Sequence, residues 1–201
     1  MGVKLSSILN KKQIEFSDLK GKKIAIDFSN MAYQFLSSIR AQDGTPLMDF
    51  KGKVTSVYVG IFSRISNLLS QNILPCFIFD GKPPALKIHT QEQREHRKRI
   101  AEEKFHQARE EEDITSMEKY AKQTSRLSKD IIEDSKELLK ALGLPVIQAP
   151  SEADAQISYL CKKGDVWASA TSDVDPLLYS CPRIITNLTL SQRRKLPSGG
   201  T

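Results

Sequence analysis

The octapeptide Gln148-Ala-Pro-Ser-Glu-Ala-Asp-Ala155 joins a short apolar run at 144–147 to a helical pattern that ends at Gly164. Two acids, Glu152 and Asp154, therefore stand in the first turn of a helix that follows a strand. One interpretation is local: Ser151 caps the helix and Asp154, three residues later, completes a capping box. Acids in a first turn are also favoured by the helix dipole. The other interpretation is functional, because other strands predicted in this chain end in the same way.

Strand and helix patterns alternate on both sides of this octapeptide. Strands are predicted at 24–28, 74–79, 146–147 and 166–171, with 183–186 as a further candidate. Helical spacing begins at Ser29-Asn30, recurs over 55–69, and runs from a cap at Ser128 to Gly143. This alternation predicts right-handed β-α-β units. The predicted fold class is α/β, with a mostly parallel central sheet and helices on both faces.

One segment, 82–129, departs from the alternation. Its apolar content falls, charged residues dominate, and two helical stretches are separated near 110–115. We interpret it as a helical insertion that projects from the sheet. The chain thus divides into a first part of the core at 1–81, the insertion at 82–129 and the rest of the core at 130–201.

Acids follow four of the predicted strands. They are Asp27, Asp80, the pair Glu152 and Asp154, and the pair Asp173 and Asp175. Parallel strands all end at one edge of a sheet, which is where ligands bind in such folds. Six gathered carboxylates repel each other unless cations neutralise them. Because the set contains only oxygen donors, Mg²⁺ or Mn²⁺ suits it better than zinc. Acids that hold two such ions are typical of phosphoryl transfer.

The insertion carries segregated charge. On a helical projection one side has Lys87, Arg94, Arg97, Lys98 and Lys104, and the other has Glu92, Glu95, Glu102 and Glu103. Arg99 falls among the acids, where we expect an intrahelical ion pair. A basic stripe beside a metal site can hold a phosphate backbone; the alternative is a solvated charged helix. Tyr33, on the helix after Asp27, would either stack on a base or belong to the core.

Composition limits the class of partner. The 201 residues carry a net charge of +6 and no apolar run long enough to span a membrane, which favours a polyanionic partner and no membrane. The three cysteines show no ligand spacing, so we expect buried thiols in a reducing compartment. The three histidines also lack metal-ligand spacing, and we interpret them as surface residues.

Several motifs together resemble the flap endonucleases, which are structure-specific 5′ nucleases with a PIN-like core. The matching stretches are Ile24-Ala-Ile-Asp27, Tyr33-Gln-Phe-Leu36, Phe79-Asp-Gly-Lys-Pro-Pro84, Ala149-Pro-Ser-Glu152 and Asp173-Val-Asp175. The chain resembles the archaeal members of this family. It implies that the six acids bind two Mg²⁺ ions, which Mn²⁺ would replace. It also implies that the insertion forms an arch, with Lys87 and Arg94 at its base facing the scissile phosphate, and that Tyr33 and Gly2 lie near the nucleotide to be cut.

The resemblance further implies DNA with a 5′ flap or a branched junction as substrate, 5′-3′ exonuclease activity, and a sliding clamp as partner. The predicted DNA-binding residues are Gly2, Tyr33, Arg40, Arg97, Lys98, Lys104, Arg126 and Lys129. We expect a cytoplasmic, nucleoid-associated protein if it is archaeal, and a nuclear one if it is eukaryotic.

The chain departs from the family pattern in two ways. Asp154 stands where members usually have Glu, and the chain stops at Thr201. The family continues with a further metal-binding Asp, a helix-hairpin-helix that grips duplex DNA, and a tail for the clamp. We therefore expect an N-terminal fragment or a truncated reading frame, with impaired activity. Two other interpretations stay open: a single-domain metal-dependent ribonuclease, and a nucleic-acid-binding module with an incomplete site.

Overall fold

A five-stranded parallel sheet forms the centre of the protein. The computed structural model describes residues 9–41, 44–111, 113–124 and 126–189. The strands are β1 (Lys23–Asp27), β2 (Leu74–Phe79), β3 (Val146–Gln148), β4 (Ala168–Ala170) and β5 (Ile184–Ile185), in the spatial order β3-β2-β1-β4-β5. Every pairing between neighbouring strands is parallel. The predicted parallel sheet is confirmed, including its fifth strand.

Helices cover both faces of the sheet. They are α1 (Phe28–Ser38), α2 (Ser56–Gly60) and α3 (Ser66–Ser70) with a π-helical turn (Ile61–Ile65) between them, α4 (Ile88–Glu110), α5 (Ile114–Gln123), α6 (Lys129–Ala141), α7 (Ala153–Lys163) and α8 (Asp175–Leu178). Along β1 the side chains of Ile24 and Ile26 enter one apolar cluster, and Ala25 between them enters a second. This alternation is the two-residue period of a strand. Both faces of the sheet are therefore buried.

The first cluster is the larger. It includes the buried side chains of α1, of the segment from α2 to α3, and of α6. The second cluster is formed by α7 and contains Cys76, Cys161 and Cys181, all buried as free thiols. The prediction of buried thiols is confirmed. Burial raises the pKa of Cys76 to about 11 and that of Cys161 to about 12, which keeps both thiols protonated.

The predicted helix ends are confirmed where glycine ends the helix. Gly143 follows α6 and Gly164 follows α7, both with positive φ of 74° and 84°. Glycine adopts this left-handed conformation without the steric cost that a Cβ imposes. The Ser128 side chain caps α6 by accepting a hydrogen bond from the Ile131 amide, as predicted.

The insertion consists of α4 and α5, which pack against each other. Ala101 and Ala108 on α4 are buried, and most of the other α4 residues with described side chains are exposed. Two helical stretches separated at 111–113 agree with the predicted break near 110–115. Among the described helices, none is both long enough and apolar enough to cross a membrane.

Candidate active site

The sheet reverses its direction of growth between β1 and β4. Strands are added from β1 towards β2 and β3 on one side, and from β4 towards β5 on the other. A crevice opens at such a switch point, beyond the carboxyl ends of the strands. Asp27 is the last residue of β1, and Asp173 and Asp175 follow β4. The strand order therefore brings acids from distant parts of the chain to one crevice.

The start of α1 orients three of these acids. The carboxylate of Asp27 caps α1 and accepts a hydrogen bond from the Asn30 amide at 3.0 Å. The Asn30 side-chain amide donates to Asp173 Oδ2 at 3.1 Å. The hydroxyl of Ser29 donates to Asp80 Oδ2 at 2.7 Å. The sequence predicted that α1 starts at Ser29-Asn30; it starts one residue earlier, at Phe28, because Asp27 is the cap.

Asp80 also contacts the octapeptide 148–155. Its Oδ1 accepts a hydrogen bond from the Ala153 amide at 2.9 Å, at the first turn of α7. Gly81 makes this approach possible, because a Cβ on it would lie 2.2 Å from the Ala149 carbonyl oxygen. The Gly81 amide donates to the Ser151 carbonyl at 2.6 Å. The Asp-Gly pair after β2 is thus required by the contact between two loops.

The capping box predicted for Ser151 and Asp154 is wrong. The residue at the N-cap position of α7 is Glu152, and its side chain makes no capping hydrogen bond. The Ser151 hydroxyl instead donates to the Lys82 carbonyl at 3.2 Å. Asp80, 73 residues before Ala153 in the sequence, supplies the carboxylate that accepts from the first amide of this helix. Asp154 is left with no capping role.

Asp154 has the most unusual environment in the crevice. Among the described side chains its Oδ1 is one of four buried polar atoms without a hydrogen-bond partner. Burial, and after it the negative charges of Asp27, Asp173, Asp175 and Asp80, together raise the pKa of Asp154 to about 7. Burial also raises the pKa of Asp27 to about 6, with contributions from Asp80 and Asp173. Five aspartates therefore share one electrostatic environment.

Glu152 has partners outside this set of aspartates. Its Oε1 pairs with the ammonium of Lys87, the residue that precedes α4. Its Oε2 accepts a hydrogen bond from the Tyr179 hydroxyl at 3.2 Å. The hydrogen bond and charge of Glu152 raise the pKa of Lys87, and the nearby charge of Arg94 opposes this rise. The charge of Arg94 therefore acts on Lys87, which precedes α4; that both cations face the scissile phosphate stays a prediction.

The case for a hard divalent cation in this crevice rests on the chemistry of its donors. In the described part of the chain, no group of three or more Asp, Glu, His or Cys side chains stands so that it could hold a metal ion. The chemistry of the crevice nevertheless matches such an ion. A buried carboxylate oxygen without a donor, surrounded by four like charges, is stabilised by a cation and by oxygen-preferring ions above all. That the six acids form one metal site remains a prediction.

Known proteins share this arrangement of elements. Residues 1–101 match the model of the XPG N-terminal domain, and residues 143–198 match that of the XPG I-region. The chain belongs to the XPG family. It is 48% identical to flap endonuclease 1 of Pyrococcus furiosus over 197 residues, which are 98% of this chain and 58% of that protein.

Two solved structures in this family resemble the fold. Flap endonuclease-1 from Methanococcus jannaschii matches with a TM-score of 0.72 and 47% identity, over 96% of this chain and 61% of that one. The catalytic core of Rad2 in complex with a DNA substrate matches with a TM-score of 0.64 and 29% identity, over 91% of this chain and 47% of that one. The chain thus spans about 58% of the length of the curated relative from Pyrococcus furiosus.

Tyr33 and three cations of α4, which are Arg97, Lys98 and Lys104, are further predicted DNA-binding residues of this XPG-family chain. Tyr33 is 41% exposed, so the core alternative for this residue is excluded. Lys98 on α4 lies over its ring, with Nζ 5.2 Å from the centroid. Lys104 contacts the ring of Tyr120 on α5 in the same way, at 5.8 Å. Arg97 is exposed on α4.

The acids of α4 do not pair as predicted. Arg126, which follows α5, forms ion pairs with Glu95 at 2.8 Å and with Glu102 at 3.3 Å. The structure shows no ion pair of Arg99 with Glu95 among the described residues, so the intrahelical pair is not confirmed. These ion pairs join Arg126 to α4, and its predicted role in DNA binding stays a prediction.

The other predicted DNA-binding residues have mixed surroundings. Arg40 is half-buried, and its Nη1 donates to the Gly44 carbonyl at 2.7 Å, which closes the loop after α1. Lys129 is exposed as the first residue of α6. Gly2 lies outside the described residues. Binding by each of these residues stays a prediction.

Sequence reasoning missed three polar residues of the site. Ser29 and Asn30 were interpreted only as a helix start, although polar residues two and three positions after a strand-end acid are in place to orient other acids. Tyr179 was not considered at all. Its one sequence signal is its place four residues after Asp175, in the segment that follows β4.

Proposed function

We propose that this chain carries the nuclease core of a 5′ flap endonuclease, which hydrolyses DNA phosphodiesters with divalent cations bound to the aspartate crevice. The proposal rests on one observation: Asp154 Oδ1 is buried without a hydrogen-bond donor, and the charges of four other aspartates act on its carboxylate. The names of the relatives and of the Rad2–DNA complex support DNA as the substrate class.

The chain's own residues supply the holding groups. Asp27, Asp80, Asp154, Asp173 and Asp175 would hold the ions, with Glu152 at the rim. Bound divalent cations would supply positive charge at the attacking and leaving oxygens of the phosphodiester. Mg²⁺ is proposed because the donors are all oxygen. A count of two ions and a sliding clamp as partner rest on the resemblance.

The arch base supplies cations to the phosphate. The charge of Arg94 acts on Lys87, and Lys87 pairs with Glu152. A phosphodiester under attack gathers negative charge on its oxygens, so cations placed there stabilise the transition state more than the ground state. In this proposal Lys87 exchanges its contact with Glu152 for the scissile phosphate when DNA enters.

Tyr33 and the arch cations would guide the strand into the crevice. The exposed ring of Tyr33 offers a stacking surface for a base, and Lys98 lies over that ring. Arg97 and Lys104 extend positive charge along α4 and would contact the phosphate backbone.

The test is single-turnover cleavage of a 5′-labelled flap substrate by this chain in Mg²⁺ or Mn²⁺. We expect cutting near the junction that is lost in EDTA and in the Asp173→Ala variant. If the chain binds the flap substrate but its product yield stays at background, equal to that of Asp173→Ala and of the EDTA sample, the chain is a nucleic-acid-binding module. Equal cleavage of a matched RNA flap would favour the ribonuclease interpretation.

A further inference from the structure

The side chain of Glu152 has two partners of different kinds. Lys87 pairs with one carboxylate oxygen and the Tyr179 hydroxyl donates to the other at 3.2 Å. An ammonium neutralises a carboxylate, so it competes with a metal ion for the same oxygens. A neutral hydroxyl orients the carboxylate and leaves its charge available to a cation.

We propose that Tyr179 is a positioning residue, which holds Glu152 in orientation for a divalent cation while Lys87 leaves to meet the phosphate. The inference rests on the proposed function. In that function Lys87 is the departing partner of Glu152. Tyr179 is the partner that stays, since the proposed reaction requires no other contact of its hydroxyl.

The backbone of Tyr179 is fixed relative to α7. Its amide donates to the Pro176 carbonyl at 3.2 Å, and the Cys181 amide donates to the same carbonyl at 2.9 Å. The buried hydroxyl of Ser158 on α7 also lies 3.1 Å from this carbonyl oxygen. The turn that carries Tyr179 is thus anchored to the helix whose first turn follows Glu152. A side chain on such an anchored turn can hold a ligand in one orientation.

The hydroxyl of Tyr179 lies within electrostatic reach of Asp154 as well as of Glu152. The charges that act on its hydroxyl come from Glu152, Lys87 and Asp154. Its ring is 44% exposed, so its contact with Glu152 is not explained by burial in the core. A Phe at this position would keep the ring and lose only the hydroxyl. The inference therefore concerns one oxygen atom.

The experiment measures Mn²⁺ binding to the whole chain by the electron paramagnetic resonance signal of the free ion. Tyr179→Phe is compared with wild type and with Tyr159→Phe. Tyr159 is an exposed tyrosine on α7 beside Lys163, at the opposite end of that helix, and serves as the matched control. We expect Tyr179→Phe to weaken Mn²⁺ binding about tenfold, as is typical when a residue that orients a metal ligand is lost. Tyr159→Phe should bind as wild type does.

A second variant separates orientation from packing. Lys87→Met removes the competing ammonium and should tighten Mn²⁺ binding, because it leaves Glu152 to the hydroxyl and the ion. Loss of the hydroxyl should then weaken binding more on the Lys87→Met background than on wild type. Such coupling is the signature of two residues that share one partner. Thermal unfolding in EDTA checks the fold, and Tyr179→Phe should unfold at the wild-type temperature.

The outcomes distinguish this inference from the proposed function. If wild type binds Mn²⁺, Asp173→Ala loses binding and Tyr179→Phe binds as tightly as wild type, the inference is overturned and the proposed function stands. Tighter binding by Tyr179→Phe would also overturn it, because the hydroxyl would then hold Glu152 away from the ion. If wild type and Asp173→Ala bind Mn²⁺ equally weakly, the proposed function fails and the inference fails with it.

Discussion

Asn in place of Asp154 should stabilise the cation-free protein. The carboxylate of Asp154 has a pKa raised from 3.8 to about 7, first by burial and then by the neighbouring aspartates. Between these two values the folded chain holds a proton that the unfolded chain has released. The free energy of unfolding therefore falls as the pH rises through this window, and it levels off above about pH 7. An amide carries no charge and avoids this loss.

The size of the effect follows from the shift. At about 1.4 kcal/mol for each pKa unit, a rise from 3.8 to about 7 corresponds to about 4 kcal/mol above pH 7. Asp154 is half-buried, so solvent screening reduces this figure, and we expect about 2 kcal/mol for Asp154→Asn at pH 8. In a chain of this length that gain raises Tm by about 4–8 °C. At pH 5 the gain should be less than half as large.

Thermal unfolding in EDTA, followed by the fluorescence of the single tryptophan, measures the gain. Trp167 precedes β4, and the cations of Lys22 and Arg183 lie 5.6 Å and 5.0 Å from the centre of its ring, so unfolding changes its surroundings. Glu137→Gln removes one exposed negative charge from α6 and serves as the matched control. Added Mn²⁺ should stabilise wild type more than Asp154→Asn, because the ion neutralises the repulsion between the carboxylates and the variant has one carboxylate fewer.

Two results would refute this reasoning. If Asp154→Asn is less stable than wild type at pH 8 in EDTA, the carboxylate contributes favourable contacts and is not a source of strain. If Asp154→Asn and Glu137→Gln gain equally, the gain comes from net charge and not from the crevice.

Three further variants test the site. Gly81→Ala should lower the free energy of unfolding in EDTA by about 1–3 kcal/mol, because its Cβ would collide with the Ala149 carbonyl. The Tm should fall accordingly, and Mn²⁺ binding should weaken. Arg94→Ala should lower the single-turnover cleavage rate by orders of magnitude in a chain extended to the relatives' length, whereas Arg99→Ala should leave it nearly intact; equal damage would refute the facing of α4. Arg97→Ala should reduce the salt dependence of flap binding by about one phosphate contact, and an unchanged slope in a titration of affinity against salt would remove it from the interface.

The sequence by itself determined the order of elements and the edge on which the acids lie. Strand and helix patterns are local, because they depend on the spacing of apolar residues and on turn residues such as Gly143 and Gly164. Once the strands are parallel, their ends must lie at one edge. The placement of Asp27, Asp80 and Asp173 in one crevice was therefore predictable without knowing a single contact.

Tertiary structure decided which partner each acid has. The pattern at Ser151 and Asp154 favoured a local cap, yet Asp80 reaches α7 because Gly81 lets two loops meet. Likewise Arg99 had acids within one helical turn, but the acid Glu95 pairs with Arg126 after α5. A local pattern shows which groups can pair along one element. It does not show which distant group packing brings closer.

The same reason explains Glu152 and Tyr179. Sequence placed Glu152 with the other acids, and nothing local indicates that its carboxylate turns towards Lys87 and a tyrosine 27 residues later. That orientation depends on α8 being anchored to α7 and on the insertion starting beside β2. The sequence determined which acids reach the crevice, and the packing of loops around it decided what each one contacts.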